Sequence, residues 1–267
     1  MGAGRSIDVG RSAAEQGSPA GSSPPRRLKY ELCVESAIGV RAALRAGVDR
    51  IELCRDLCVG GLTPGSDAID EALSLAGANL GVHVLVRSRP GDFVYTAEEI
   101  ATMVDQIERA VAAGASGVVV GALTPEGVID EQAMATFMAA ARPASVTFHR
   151  AFDEVPGSYA GYARLADLGV DRVLTGGGVP NALEGAERLR QLVDRSAAGP
   201  IVLVGGGVTS SNAASLVSRT GARELHFSAR RAGAPSPAGT EPEGEEPLAA
   251  RARAIISAAE VGAAGRG

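Results

Sequence analysis

Hydrophobic and polar positions along the chain repeat one change of spacing. Segments with helical spacing end at a glycine, and a short apolar stretch with strand-like alternation follows at once. Four such junctions are ALRAGVDRIEL at 43–53, AVAAGASGVVV at 110–120, LADLGVDRVLT at 165–175 and VSRTGARELHF at 217–227. Their glycines, Gly47, Gly114, Gly169 and Gly221, are predicted to end helices in the left-handed conformation.

Further strands are predicted before and between these junctions. They are LKYELCV at 28–34, LGVHVLV at 80–86, ASVTFHR at 144–150 and PIVLVGGG at 200–207. Ser36, Asp130 and Asn181 are predicted helix N-caps, and Thr96 with Glu99 is a predicted capping box. Eight strands alternating with helices predict an α/β fold, a single-domain (β/α)8 barrel of the TIM type. An open doubly wound sheet is the alternative.

Two segments lack this periodicity. Residues 1–27, rich in Gly, Ser, Pro and Arg, are predicted to be a disordered leader before a barrel domain at 28–267. Residues 232–247, AGAPSPAGTEPEGEEP, are predicted to be a low-complexity loop within that domain, because structured stretches lie on both sides.

Strand alternation places polar side chains on the face that a barrel turns inward. The predicted inward residues on five strands are Glu31, Cys33, Glu52, Cys54, His83, Leu85, Arg87, Thr147, His149, Glu224, His226 and Ser228. Burying ionisable groups is costly unless they pair or bind a ligand. We therefore expect a ligand site at the carboxyl ends of the strands, with a satisfied polar core as the alternative.

Composition narrows the partners and the chemistry. A net charge of −5 and 3% aromatic residues argue against nucleic acid, and no apolar run is long enough to predict a membrane partner. Three cysteines in a chain of this length indicate reduced thiols in a cytoplasmic protein. The single lysine, Lys29, argues against imine chemistry, and we expect no organic cofactor.

Candidate anion-binding residues follow several strands. Arg87 and Arg150 lie at the ends of strands 3 and 5, and Gly205, Gly206 and Gly207 follow strand 7. Ser228, at the end of strand 8, can join them. Loops after strands 7 and 8 of such barrels often bind phosphate through backbone N–H groups. The alternative for the glycines is a tight turn.

Two kinds of chemistry are open at the predicted site. Glu31, Glu52, His149 and His226 are candidates for acid–base catalysis on a small anionic metabolite. Cys33 and Cys54 end neighbouring strands on one face, about 4.8 Å apart, and two thiolates at that spacing suit a soft ion such as Cu(I). Two small buried thiols without a metal are the alternative.

Several motifs together resemble the CutC family. They include ELCVES at 31–36, AGVDRIELC at 46–54, GGLTP at 60–64, VTFHRAFDEV at 146–155 and ELHFSAR at 224–230. The resemblance implies a (β/α)8 barrel, a cytoplasmic location, and self-association as a dimer or tetramer. It also implies a role in copper homeostasis, with Cu(I) bound at Cys33 and Cys54.

Three functions therefore stand at this point. The first is Cu(I) binding by a CutC-like protein. The second is a barrel enzyme that acts on a small anionic, for example phosphorylated, metabolite. The third is a scaffold without turnover.

Overall fold

The structure is a computed structural model that describes residues 1–2, 27–231 and 243–265. Within them the strands are β1 (Lys29–Val34), β2 (Arg50–Leu53), β3 (Gly81–Leu85), β4 (Gly117–Val120), β5 (Ser145–Phe148), β6 (Arg172–Thr175), β7 (Ile201–Val204) and β8 (Glu224–Ser228). The α-helices are α1 (Ala37–Ala46), α2 (Ser66–Ala76), α3 (Ala97–Ala113), α4 (Glu131–Ala141), α5 (Ser158–Asp167), α6 (Ala186–Arg195), α7 (Ala213–Thr220) and α8 (Glu245–Ala264).

The strands form a closed parallel barrel in sequence order. Each strand pairs with the next one along the chain, and β8 pairs with β1. The predicted (β/α)8 barrel is confirmed, and the open doubly wound sheet is wrong. No helix in the described ranges combines the length and the apolar character that a membrane crossing requires.

The two faces of the strands separate as the alternation predicts. Outward residues such as Leu32, Ile51 and Val84 belong to the large core between the barrel and its helices. Inward residues form a separate small cluster, made of Cys33, Cys54, Leu85 and Val119. The barrel interior is therefore polar around a small apolar patch, which leaves its ionisable groups to find partners among themselves.

Three linked ion pairs fill the barrel near the beginning of the strands. The guanidinium of Arg50 contacts the carboxylate of Glu31 and lies 2.6 Å from Oε2 of Glu224. Arg172 Nε lies 3.0 Å from the same Glu224 oxygen. Paired charges are tolerated in an interior where single ones are not. Lys29, exposed at the first residue of β1, lies at this end, away from the carboxyl ends of the strands.

Most of the predicted helix ends are confirmed. Gly47, Gly114 and Gly221 end α1, α3 and α7 with φ of 73°, 107° and 72°. Thr96 accepts a hydrogen bond from the backbone of Glu99, whose side chain accepts one in return, as in a capping box. These local signals agree with the structure because only neighbouring residues determine them.

The other four predicted caps differ in outcome. Asp130 caps α4 by accepting from the N–H of Ala133. Ser36 precedes α1 but makes no capping hydrogen bond, and Gly169 adopts φ of 75° just beyond the end of α5. The prediction for Asn181 is wrong, because its side chain accepts from Leu183 in a turn and α6 begins only at Ala186.

Much of the predicted leader and loop falls outside the described residues. The structure describes neither 3–26 nor 232–242. Glu245–Pro247, predicted as the end of the loop, instead form the first turn of α8. Glu245 and Glu246 suit that turn because acidic side chains stabilise a helix N-terminus.

Candidate functional site

A cavity of about 600 Å³ lies at the carboxyl ends of the strands. Residues from β1, β2, β3, β6 and β8 line it, together with residues from the loops after β2, β3, β5, β7 and β8. The lining includes Cys33, Glu52, Leu57, Val59, Leu85, Arg87, Phe93, His149, Arg150, Glu154, Leu174, Gly206, Gly207, Thr209, His226, Ser228 and Arg230. A cavity of this size suits a small molecule as well as an ion.

Two thiols lie side by side next to this cavity, which Cys33 lines. Sγ of Cys33, on β1, lies 3.6 Å from Sγ of Cys54, which directly follows β2, and both residues are buried. Glu52 lies opposite Cys33 in the strand pairing, with Oε1 3.5 Å from the Cys33 sulfur. The predicted proximity of the two cysteines is confirmed. Cys58 is exposed in the short 3-10 helix Leu57–Val59, and no disulfide joins any of the three cysteines within the described residues.

The imidazole of His226 lies close to the Cys33 sulfur and the Glu52 carboxylate. One donor atom each from Cys33, Glu52 and His226 lie within 4.8 Å of one another, the only such group found in the part of the chain that the structure describes. His226 comes from β8, the neighbour of β1 on the side opposite β2. Barrel closure therefore brings a sulfur, a carboxylate and an imidazole together from the two ends of the chain.

Glu31 orients the imidazole of His226. Oε1 of Glu31 lies 2.7 Å from Nδ1 of His226, and Oε2 contacts Arg50. Burial opposes ionisation of Glu31, but the charge of Arg50 and the bond from His226 hold the pKa of this carboxyl below its usual range. Glu31 has no exposed surface and does not line the cavity. It therefore acts on the site through His226, in contrast to the predicted direct acid–base role.

The surroundings of His226, Glu52 and Cys33 raise the pKa of each group. Burial lowers the pKa of His226, but the charge of Glu52 and the bonds to Cys33 and Glu31 outweigh it and raise that pKa well above the usual value. Burial raises the pKa of Glu52. The contact with Cys54, followed by burial, raises the pKa of the Cys33 thiol. Without a ligand this site favours an imidazolium beside a thiol.

His149 lies on another wall of the cavity and is neutral. Burial, helped by the positive charge of Arg87, lowers the pKa of His149 to about 3. Its Nδ1 accepts the N–H of Ala151, while Nε2 is buried without a partner among the described residues. The remaining ring proton is therefore on Nε2, a donor without an acceptor.

Arg87 is buried, and most of its donors are already used. Nη1 and Nη2 donate to the carbonyls of Val59, Gly61 and Gly91, and the guanidinium lies 4.8 Å above the Phe93 ring. Arg87 therefore ties the loops after β2 and β3 together, a role that the sequence did not predict. Its Nε has no partner within the described residues, and its charge is not paired with a carboxylate there. The predicted direct contact with an anion can involve only the remaining N–H groups.

The predicted glycine donors after β7 divide into two groups. The N–H of Gly205 is used within the barrel, because it donates to Thr175 at 3.0 Å. A side chain at position 205 would also contact Leu174 and His226, so this glycine permits close packing over the imidazole. Gly206 and Gly207 line the cavity with φ of 116° and 67°. Ser228 lines it too, and its hydroxyl accepts from the N–H of Arg230.

The chain is similar to known proteins over most of its length. The CutC family model matches residues 28–231, which contain every predicted site residue. A human protein named copper homeostasis protein cutC homolog is 41% identical over 200 residues, 75% of this chain and 72% of its own. This chain belongs to the CutC family.

Other relatives of the CutC family agree in extent. A CutC family protein of Pasteurella multocida is 40% identical over 203 residues, 76% of this chain and 82% of its own. The crystal structure of a CutC copper homeostasis protein from Streptococcus agalactiae has a TM-score of 0.71 and 32% identity, and covers 74% of this chain and 97% of its own. A thiamine phosphate pyrophosphorylase from Pyrococcus furiosus, at a TM-score of 0.57 and 18% identity over 87% of this chain and 96% of its own, shares only the fold.

Two glycines beside histidines of the barrel could not be singled out from the sequence. A Cβ at Gly117 would lie 2.5 Å from Nε2 of His83, and one at Gly121 would lie 2.5 Å from Cε1 of His149. At both positions only glycine leaves room for the imidazole ring of the neighbouring histidine. The strand alternation places each histidine inward, but it does not show which neighbour makes room for the ring.

Proposed function

We propose that this protein binds Cu(I) through the thiolates of Cys33 and Cys54, as its part in copper homeostasis. The supporting observation is the separation of 3.6 Å between the two buried sulfurs. Soft thiolate ligands favour Cu(I), and a human relative carries copper homeostasis in its name. The cytoplasmic location and self-association that the sequence predicts are part of this proposal.

His226 is the third ligand in this proposal. A ligating histidine typically gives its other ring nitrogen to a carboxylate, which fixes the orientation of the ring. Here Glu31 takes Nδ1 at 2.7 Å and leaves Nε2 for the ion. Because His226 and the Cys33 thiol favour their protonated forms, metal binding releases protons and tightens as the pH rises.

Cu(I) titration of single cysteine variants tests the proposal. Cys33→Ser and Cys54→Ser are each expected to weaken Cu(I) binding by more than about 100-fold, beyond the loss typical of an outer-shell partner. Cys58→Ser is the matched control and is expected to bind like wild type, because Cys58 lies exposed outside the donor group. Competition with a chromophoric Cu(I) chelator under anaerobic conditions measures the affinity.

Two results would contradict the proposal. Equal losses in all three cysteine variants would show that binding does not depend on the buried pair. Tighter binding of Zn(II) than of Cu(I) would assign these ligands to a different ion, since thiolate and imidazole also suit zinc.

A second candidate function is acid–base chemistry on a small anionic molecule. The observation that favours it is the buried Nε2–H of His149 on the wall of a cavity far larger than one ion. In this proposal Glu52 and His226 transfer protons, Glu31 positions His226, and His149 donates to the substrate. A crystal structure of the purified protein tests it, with organic density against Glu52 and His149 as the expected result. Density for one ion at the cysteines, with water in the rest of the cavity, would contradict it.

A further inference from the structure

The glycine-rich loop after β6 shows how this fold uses free backbone N–H groups. The N–H groups of Gly176 and Gly178 both donate to the carboxylate of Asp153, at 3.1 and 2.9 Å. Oγ1 of Thr175 and Nε of Arg150 bind the same carboxylate. The loop is thus folded around an anion that the protein itself supplies.

The loop after β7 also begins with three glycines, but no carboxylate of the described residues accepts from their N–H groups. The carbonyls of Gly206 and Gly207 accept from Ala182 and from the side chain of Asn212. Their N–H groups have no acceptor within residues 27–231 and 243–265. Successive N–H groups in a left-handed turn form a concavity that binds anions.

Arg150 places a positive charge beside this concavity. A Cβ at Gly206 would lie 3.4 Å from Cζ and 3.5 Å from Nη1 of Arg150. Nε of Arg150 is held by Asp153 and Nη2 by the carbonyl of Val179. These two bonds orient the guanidinium, and Nη1 is left without an acceptor in the described part of the chain. A guanidinium in a fixed orientation binds phosphate with little loss of side-chain entropy.

Two buried side chains on the same cavity point independently to a ligand. Nε2 of His149 and Nε of Arg87 are both buried without partners among the described residues, and each side chain is more than nine-tenths buried. Both residues line the cavity together with Gly206, Gly207 and Arg150. Unpaired buried donors are costly, so their presence at one cavity indicates a molecule that accepts from them.

We propose that Gly206, Gly207 and Arg150 bind the phosphate group of a small phosphorylated molecule. The rest of the molecule occupies the cavity of about 600 Å³ towards His149 and Cys33. The inference deepens the second candidate function, on which it rests for the chemistry of that remainder. It does not depend on Cu(I), because the cysteine sulfurs take no part in holding the phosphate.

Calorimetric titration of the metal-free full-length chain with inorganic phosphate tests the site. Ionic strength is held constant with KCl, so that general charge screening is the same throughout. Wild type is expected to bind phosphate saturably, and Arg150→Met is expected to bind it at least about tenfold more weakly. Arg190→Met is the matched control, because Arg190 is exposed on α6 and its charge is paired, among the described residues, with Asp194 of the same helix.

Further variants make every outcome decisive. Arg150→Lys keeps the positive charge without the planar fork, and its affinity for phosphate is expected to lie between those of wild type and Arg150→Met. This variant also tests the site should Arg150→Met not fold. Cys33→Ser is expected to keep phosphate binding while losing Cu(I), which separates this site from the copper proposal. The absence of saturable binding to wild type, equal binding by wild type and both Arg150 variants, or loss of phosphate binding in Cys33→Ser would each overturn the inference.

Discussion

Replacing Arg50 with methionine is expected to lower the free energy of unfolding by about 3–5 kcal/mol, the cost typical of breaking a buried ion pair. Arg50 is buried and contacts two carboxylates, Glu31 and Glu224. Methionine has a similar volume, so the main loss is the positive charge between two buried negative ones. Urea denaturation of the metal-free protein, with wild type measured alongside, gives the difference.

A second arginine of the same network is the matched control. Arg172→Met removes one contact with Glu224 and one with the hydroxyl of Ser145, and the Arg172 side chain keeps 15% of its surface exposed. A smaller loss is expected, because water and Arg50 still compensate Glu224. The double variant Arg50→Met with Glu31→Gln is expected to recover part of the stability, since it also removes a carboxylate left without its arginine. The explanation fails if Arg50→Met costs no more than Arg172→Met.

The same network connects stability to the candidate metal site. Arg50 holds Glu31 ionised, and Glu31 holds Nδ1 of His226. Loss of Arg50 therefore raises the pKa of Glu31 and weakens its hold on the imidazole. The ion pairs of Arg50 thus support the orientation of an imidazole that belongs to one donor group with Cys33 and Glu52.

The barrel and the inward faces of its strands could be predicted from the sequence. Alternation with a period of two assigns Cys33 to one face of β1, and a glycine after α1, α3, α5 and α7 marks where the next strand begins. Cys54 follows from the same rule on β2. Their proximity requires only that β1 and β2 be neighbours, as consecutive parallel strands in a barrel are.

Partner choice could not be predicted in the same way. Asp153 comes from the loop after β5 but fills the glycine loop after β6, so the sequence alone does not show which glycine loop is free. The sequence predicts that Arg87 binds an anion, but Arg87 donates three hydrogen bonds to carbonyls of the loops after β2 and β3. Both outcomes depend on loop packing, which has no periodic signal.

The cavity thus places two different binding chemistries next to each other. Cys33 and His226 line it with a sulfur and an imidazole, and the Cys54 sulfur lies 3.6 Å from that of Cys33. Backbone N–H groups and a guanidinium lie beside the loop after β7. The residues proposed to bind the ion differ from those proposed to bind the phosphate group, so each kind of binding can be tested while the other is disabled.

Acid is expected to destabilise the folded protein through His149. Between a pH of about 7.5 and about 5, wild type is expected to lose about 2 kcal/mol more stability than the variant His149→Asn. In the unfolded chain His149 takes up a proton near its usual pKa of 6.5, whereas burial keeps the folded side chain neutral down to a pKa of about 3. The unfolded state therefore binds more protons in this interval, and stability falls as the pH falls.

Asparagine is the matched replacement because its side-chain oxygen can still accept from the N–H of Ala151, two residues on, as Nδ1 of His149 does. His83, whose pKa burial lowers to about 4, destabilises the folded state in acid with the same sign. His226 has the opposite sign, because its folded-state pKa is raised and its stabilisation is complete only below its unfolded pKa. Both groups remain in the variant, so their contributions cancel in the comparison. Urea denaturation of the two proteins across this interval measures the difference, and parallel curves of stability against pH would show that His149 is not held neutral by the fold.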